Sequence, residues 1–216
     1  PHLIMHTPAW DLAVLRLING AWHGQALDLI MPWLSETLLL APVLGLALGH
    51  LYLKGYKLRD PRLGKALGLC ALIGLLANLL TQVVKYAAGR SRPLYTLGDI
   101  RHYDGATGVW LQNPADYSPD ASQPAVSFFS GHSSTTMALA VALGLFFPPL
   151  RRWIWLMPLL CGYSRIYMGM HYPSDVLAGW AAGALIAWAV WRIRQERPLE
   201  EGNPKGLAPW GYPPPD

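Results

Sequence analysis

The chain has 216 residues, 52% of them apolar and only 14% charged, with ten tryptophans and a formal net charge of +4. That balance argues against an ordinary soluble domain, and so small an excess of charge calls for no nucleic-acid partner. The two cysteines, Cys70 and Cys161, both lie inside apolar runs, so they read as small buried hydrophobes and imply no disulfide framework.

Several apolar runs reach roughly 16 to 22 residues, close to the ~20 that a helix needs to cross a bilayer. Each is apolar all round, as lipid demands, rather than along one stripe. The start, Pro1 to Thr7, has no cleavable signal pattern, so the first span is expected to act as its own insertion signal. Residues 9–23 mix Asp11, Arg16 and Asn19 with Leu and Ile and read as an interfacial amphipathic helix. Spans are expected over about 29–53, with Pro32 and Pro42 as kinks, then 66–88, 130–148, 153–170 and 173–191. Residues 90–129 form a long polar outer loop, and the Pro/Gly-rich stretch 199–216 reads as a flexible tail. The sequence thus predicts an all-α polytopic membrane helix bundle of five to six transmembrane helices, with one integral-membrane domain over 1–198.

Basic clusters at 54–65, 151–152 and 192–197 fall on one side of a five-span arrangement. The positive-inside rule makes that side cytoplasmic and turns the outer loop and the polar helix ends outward.

Three polar stretches stand at the ends of these apolar runs. Lys85 closes a polar stripe with Asn78 and Gln82 in the second span, and Arg92-Pro93 follows shortly after. An intramembrane charge needs a partner, although Lys85 and the arginines would also suit snorkelling to headgroups. Ser130-Gly131-His132 opens the third span, where Ser130 is a natural N-cap. The free N–H groups of such a helix start form a ready anion site, against the plainer reading of His132 as a structural histidine. Arg165 precedes His171, and Asp175 then lies in the first turn of the last span behind Pro173. A carboxylate there orients an imidazole or simply caps the helix. Lys85, Arg92 and Arg165 are three cations converging where the helix ends meet, and a bound phosphate group answers that charge. There is no Cys/His cluster or carboxylate cage to hold a metal.

Lys85 to Pro93, Ser130-Gly131-His132 and Ser164-Arg165 to His171 and Asp175 together resemble the type 2 phosphatidic acid phosphatase superfamily. The signature is Lys-x6-Arg-Pro, Pro-Ser-Gly-His and Ser-Arg-x5-His-x3-Asp, in that order. Only Phe129, where the family has Pro, departs from it, and the resemblance covers roughly residues 28 to 192. The resemblance implies His171 as a nucleophile that forms a phosphohistidine and Asp175 as the group that orients it. It implies His132 as the acid and then base, and Lys85, Arg92, Ser130, the Gly131 amide and Arg165 as the phosphate cradle. It implies no cofactor, no metal and a metal-independent lipid phosphatase of the bacterial inner membrane with an outward-facing site.

The stretch from Leu15 to Met31 is similar to the start of undecaprenyl-diphosphate phosphatases, which makes undecaprenyl diphosphate the first expected substrate. Phosphatidylglycerophosphate, phosphatidate and lipid A phosphate are the alternatives, as is phosphate transfer to another lipid. A vanadium haloperoxidase uses a related pocket in proteins that are generally soluble, and a silent lipid-binding or transport protein would not need the intact His171, His132 and Asp175 set. Glu36 reads either as an intramembrane acid that meets substrate or as a headgroup-level partner of a loop cation. Arg101, His102 and Tyr103 are candidate head-group contacts or ordinary loop residues.

Overall fold

The computed structural model describes residues 7–35, 49, 53, 61–105, 107–112, 126–147 and 150–195. Glu36, most of the first expected span and the tail lie outside the described residues. The segment over 9–23 forms helix α1, Ala9–Arg16, which continues into a π-helical turn over Leu17–Ala21. Helix α2 spans Gln25–Ser35, with Pro32 inside it. Helix α3 runs over Pro61–Ala88, opens on a proline whose missing N–H costs nothing at a helix start, and stops where Gly89 takes a φ of 59°.

The outer loop carries structure that composition alone did not suggest. Pro93–Thr96 forms a single turn, α4, and His102–Asp104 pairs antiparallel with Val109–Leu111 as the hairpin β1–β2, placing Tyr103 opposite Trp110. Tyr103 and Trp110 stack at 5.4 Å and cover a small cluster of Leu94, Met168 and Met170. The fold is otherwise all-α.

Helix α5, Gly131–Phe146, is capped by the Ser130 hydroxyl, which accepts from the Ser133 N–H at 3.4 Å. Helix α6 covers Leu156–Tyr167 and helix α7 Pro173–Gln195. The fourth expected span shrinks to the 12 residues of α6, because residues 151–155 form turns at one end and the backbone breaks again after Tyr167 to bring His171 inward. Among the described residues, two helices are long and apolar enough to cross a membrane, over Lys65–Ala88 and Pro173–Arg194. Leu72, Leu75, Leu79 and Val83 on α3, and Leu177 and Leu185 on α7, point outward in the manner of a lipid-facing surface. The protein is a membrane-associated helical fold.

Helices α5 and α7 are parallel neighbours, and small residues let them touch backbone to backbone. In lipid there is no hydrophobic drive between helices, so close packing of this kind does the joining. A Cβ placed on Gly179 would lie 2.6 Å from the Ser130 carbonyl oxygen, and one on Gly183 would overlap the Ser134 carbonyl. On the other side of α7, a Cβ at Gly162 of α6 would come within 2.5 Å of the Trp180 ring. Cys70, Ile73 and Ala77 of α3 pack with Ala138, Ala142, Leu143 and Phe146 of α5, and Ala187 of α7 closes that core. Both cysteines are buried and free, as their apolar surroundings predict.

The result is a molecule with two unlike ends. The starts of α5 and α7 and the end of α3 meet at one end. The α5–α6 turn, with Arg151, Arg152, Trp153 and Trp155, and the end of α7, with Arg192 and Arg194, lie at the other. Exposed Trp10 and Trp22 flank the first end, and exposed Trp153 and Trp155 the second. Indole rings favour the two headgroup levels of a bilayer.

Candidate active site

His171 sits in the short crossing between α6 and α7. Gly169, at a φ of 69°, turns the chain there, and its Cα faces the Arg101 carbonyl so closely that a side chain would not fit. The backbone N–H of His171 then donates to the Arg165 carbonyl at 3.3 Å, which places the ring against the end of α6. The ring is 1% exposed. Burial and the cations of Arg165, Arg92 and Lys85 hold its pKa well below the ordinary 6.5, so the imidazole is neutral at physiological pH.

Behind the ring stands Asp175, in the first turn of α7. Its Oδ2 accepts from the backbone N–H of Tyr172 at 2.9 Å, the reach-back half of a capping box. The same oxygen accepts a short hydrogen bond from the Ser127 hydroxyl. Ser127 Oγ lies 3.3 Å from His171 Nδ1, whereas the carboxylate itself is 3.6 Å away. The acid therefore addresses the imidazole chiefly through a serine hydroxyl. The serine stands in the stretch that carries Ser130-Gly131-His132, but three residues ahead of it, where the motif spacing gives no reason to look.

Three cations lie in one neighbourhood. Lys85, Arg92 and Arg165 are all buried, from the last turn of α3, the start of α4 and the last turn of α6. Each is close enough to act electrostatically on both His171 and His132. Arg92 Nε donates to the Val126 carbonyl at 3.4 Å, and Arg165 Nη1 donates to the buried Ser35 hydroxyl of α2 at 2.5 Å. Ser130 is fully buried, and its backbone N–H donates to the Asp175 carbonyl at 3.0 Å, so the starts of α5 and α7 are tied directly. A Cβ on Gly131 would crowd Thr81 of α3 at 3.1 Å, which keeps this turn of backbone bare. His132 is half-buried and the more open of the two rings. Phe129 packs as a buried side chain where the resemblance would place a proline.

A fourth buried cation lies within the first motif. Arg90 donates from Nη1 to Asp175 Oδ1 at 2.6 Å and from Nη2 to Asp11 Oδ2 at 2.7 Å, and its guanidinium lies over the Tyr172 ring at 4.0 Å. Sequence reading treated Arg90 only as a snorkelling candidate and Asp11 as one polar residue of an interfacial helix. Their separation of 79 residues left no local pattern to join them.

The loop candidates divide. Arg101 donates to Asp28 of α2 at 2.7 Å and stacks over Trp110 at 4.7 Å, while Tyr167 holds the other oxygen of Asp28 at 2.5 Å. This is a tie between the hairpin, α2 and α6. The Arg101 backbone N–H also donates to the Asn19 side-chain oxygen at 2.8 Å. His102 is buried with Nδ1 3.3 Å from the Met168 carbonyl, and it senses the charges of Arg92 and Arg165. It therefore borders the cation cluster. Tyr103 is half-buried in the hairpin stack. Among the described residues, no group of three or more His, Cys, Asp or Glu side chains is arranged to hold a metal ion.

Three cations, two imidazoles and the parallel starts of α5 and α7 lie together at one end of a membrane-associated helical fold. Residues 65–199 match the model of the PAP2 superfamily, and the chain belongs to that superfamily. It is 40% identical over 112 residues to a lipid A 1-phosphatase of Rhizobium johnstonii, covering 51% of this chain and 39% of that one. It is 30% identical over 131 residues to an undecaprenyl-diphosphatase of Sulfolobus acidocaldarius, covering 59% and 54%. The chain thus spans about half or less of the length of these relatives. The fold matches a crystal structure of Aquifex aeolicus LpxE with a TM-score of 0.63 at 22% identity, covering 88% of this chain and 99% of that chain.

Proposed function

We propose that this protein is a metal-independent membrane phosphatase that removes phosphate from a lipid phosphate through a phosphohistidine at His171. The observation that carries the reading is the buried, neutral His171 ring standing within the field of Lys85, Arg92 and Arg165. A neutral imidazole offers its Nε2 lone pair, while the cations would hold the non-bridging oxygens and favour the spread charge of the transition state. In the first step the Nε2–P bond forms and the P–O bond to the lipid breaks, with His132, protonated once the phosphate anion offsets the three cations, giving that proton to the leaving oxygen. In the second, His132 takes a proton from water, whose oxygen attacks phosphorus and displaces His171, releasing inorganic phosphate. Asp175, acting through Ser127, steadies the Nδ1 side of the ring as positive charge develops. The cradle is completed by Ser130 and the Gly131 amide.

A lipid carrying a single phosphate ester, of the lipid A 1-phosphate or glycerolipid phosphate kind, is the substrate class the relatives favour. The Rhizobium lipid A 1-phosphatase shares 40% identity with this chain against 30% for the Sulfolobus undecaprenyl-diphosphatase. Undecaprenyl diphosphate is the second reading, supported by the latter. In this arrangement five spans cross a bacterial inner membrane, and the basic end faces the cytoplasm. The site opens at the outer headgroup level, where the lipid tail stays in the bilayer.

The test is phosphate release by purified protein in detergent from lipid A 1-phosphate, phosphatidate, phosphatidylglycerophosphate and undecaprenyl diphosphate, compared by kcat/KM. The highest value is expected for a monoester, unaltered by a chelator. Release from none of the four, or release abolished by the chelator, would sink the proposal.

A further inference from the structure

Helix α1 carries an aspartate with no solvent contact at all. Asp11 is 0% exposed, and both its oxygens point into the start of α7. Oδ1 accepts the Ser174 N–H at 2.8 Å, and Oδ2 accepts the Ser174 hydroxyl at 2.6 Å and Arg90 Nη2 at 2.7 Å. Arg90 Nη2 also donates to the Thr7 hydroxyl at 3.3 Å. The other arm of Arg90 reaches Asp175 Oδ1, whose partner oxygen faces Ser127 and His171. The chain of contacts runs Asp11, Arg90, Asp175, Ser127, His171, with no exposed member.

We infer that Asp11 and Arg90 are positioning residues for the His171 and Asp175 pair, and that the interfacial helix is thereby part of the catalytic centre. The inference rests on the phosphohistidine reading given above. Asp11 lies outside residues 65–199, the part of the chain that matches the family model.

A guanidinium bound to Asp175 alone would cancel most of the negative charge that steadies an imidazolium. Shared between two carboxylates, Arg90 leaves the trio Asp11, Arg90 and Asp175 with one net negative charge, and Asp175 keeps its field at His171. The fork geometry of arginine lets each arm take one carboxylate in fixed orientation, which a lysine ammonium does not reproduce. Arg90 thus fixes the rotation of Asp175, and Asp11 tempers Arg90. A purely structural role would instead be a matter of docking α1. That helix has a second, exposed tie in its last turn, Arg16 to Asp99 at 2.7 Å, which offers a comparison without contact to the pair.

The full chain is purified in detergent, and kcat and KM are measured on the best substrate of the four-lipid panel, with thermal midpoints recorded for every variant. Asp11→Asn is expected to lower kcat about tenfold with KM within about twofold, since charge around the reacting groups changes and the cradle does not. Asp11→Glu is expected to recover most of that loss. Arg90→Lys lowers kcat likewise and serves if Asp11→Asn fails to fold. Arg16→Gln, which weakens docking only, leaves both constants unchanged. In the Asp11→Asn, Asp175→Asn double variant, the loss is expected to stay near that of Asp175→Asn alone. A wild-type kcat in both Asp11→Asn and Arg90→Lys, an equal loss in Arg16→Gln, or fully additive losses in the double variant would overturn the inference. An inactive wild type would strike the phosphatase reading itself, a result separable from all of these.

Discussion

Gly179 is the point where α7 presses on the start of α5, and its replacement by alanine tests whether the site depends on that approach. The new Cβ would lie 2.6 Å from the Ser130 carbonyl, 3.1 Å from Ser133 Cβ and 3.2 Å from the Ser134 N–H, where ordinary contact begins at 3.4 Å. The shortfall is about 0.8 Å against backbone, which has no rotamer through which to yield. The helices must separate by a comparable amount, and Ser130 and His132 move with α5 while His171 and Asp175 stay with α7. A misplacement of ~1 Å costs on the order of a hundredfold in rate. Gly179→Ala is therefore expected to lose between about tenfold and a hundredfold in kcat while the protein still inserts and elutes as a folded species. Gly68→Ala on α3, where nothing lies within 4 Å, provides the matched comparison and is expected to keep full activity. The assay is steady-state phosphate release in detergent, with thermal midpoints for both variants. Unchanged kcat in Gly179→Ala, at a midpoint equal to wild type, would refute the idea that this contact sets the distance between the two halves of the site.

His171→Ala is expected to abolish turnover, and orthovanadate to inhibit the wild type as a mimic of five-coordinate phosphorus, both read by phosphate release. Full activity in the alanine variant would remove His171 as nucleophile. His171 and His102 are buried with pKa values held below 6.5, in each case by desolvation first. The unfolded chain therefore takes up protons below pH 6.5 that the folded chain refuses, so stability is lost as pH falls from that value. Each such group contributes up to ~1.4 kcal/mol per pH unit within the window. Thermal midpoints between pH 7 and about pH 5 should fall, and fall less in His171→Gln; parallel curves for the two proteins would contradict the assignment.

The parts of the site that were legible in the sequence are those that one helix end declares locally. Lys85 and Arg92, Ser130 to His132, and Arg165 to Asp175 each combine costly polar groups with an apolar run that stops, and the structure gathers all three stretches at one end. A helix over the first segment was readable because Asp11, Arg16 and Asn19 interrupt a run that would otherwise resemble a span. What stayed hidden depends on contacts made far along the chain. Asp11 and Arg90 looked like solvated charges because each finds its partner only when α1 reaches α7. Ser127 is one more serine in a polar loop until its backbone N–H meets the Arg90 carbonyl at 2.6 Å and its hydroxyl reaches Asp175. Arg101 and Tyr103 were attractive as head-group contacts for their chemistry, and only the fold reveals Asp28 and Trp110 beside them. The Gly179-x3-Gly183 spacing was present in the sequence as a signal of close helix packing, and it marks the pair of helices that carry the two halves of the centre.

The buried Asp11, Arg90 and Asp175 trio also orders events during biosynthesis. Its members come from the first described helix, the stretch just after the third and the start of the last, so the centre closes only when α7 has joined elements that emerged far earlier. Until then Arg90 lacks Asp175 and Asp11 lacks Ser174, and the centre is incomplete. Long-range closures of this kind come late, after local helices have formed. A centre built this way is complete only once its three elements have met.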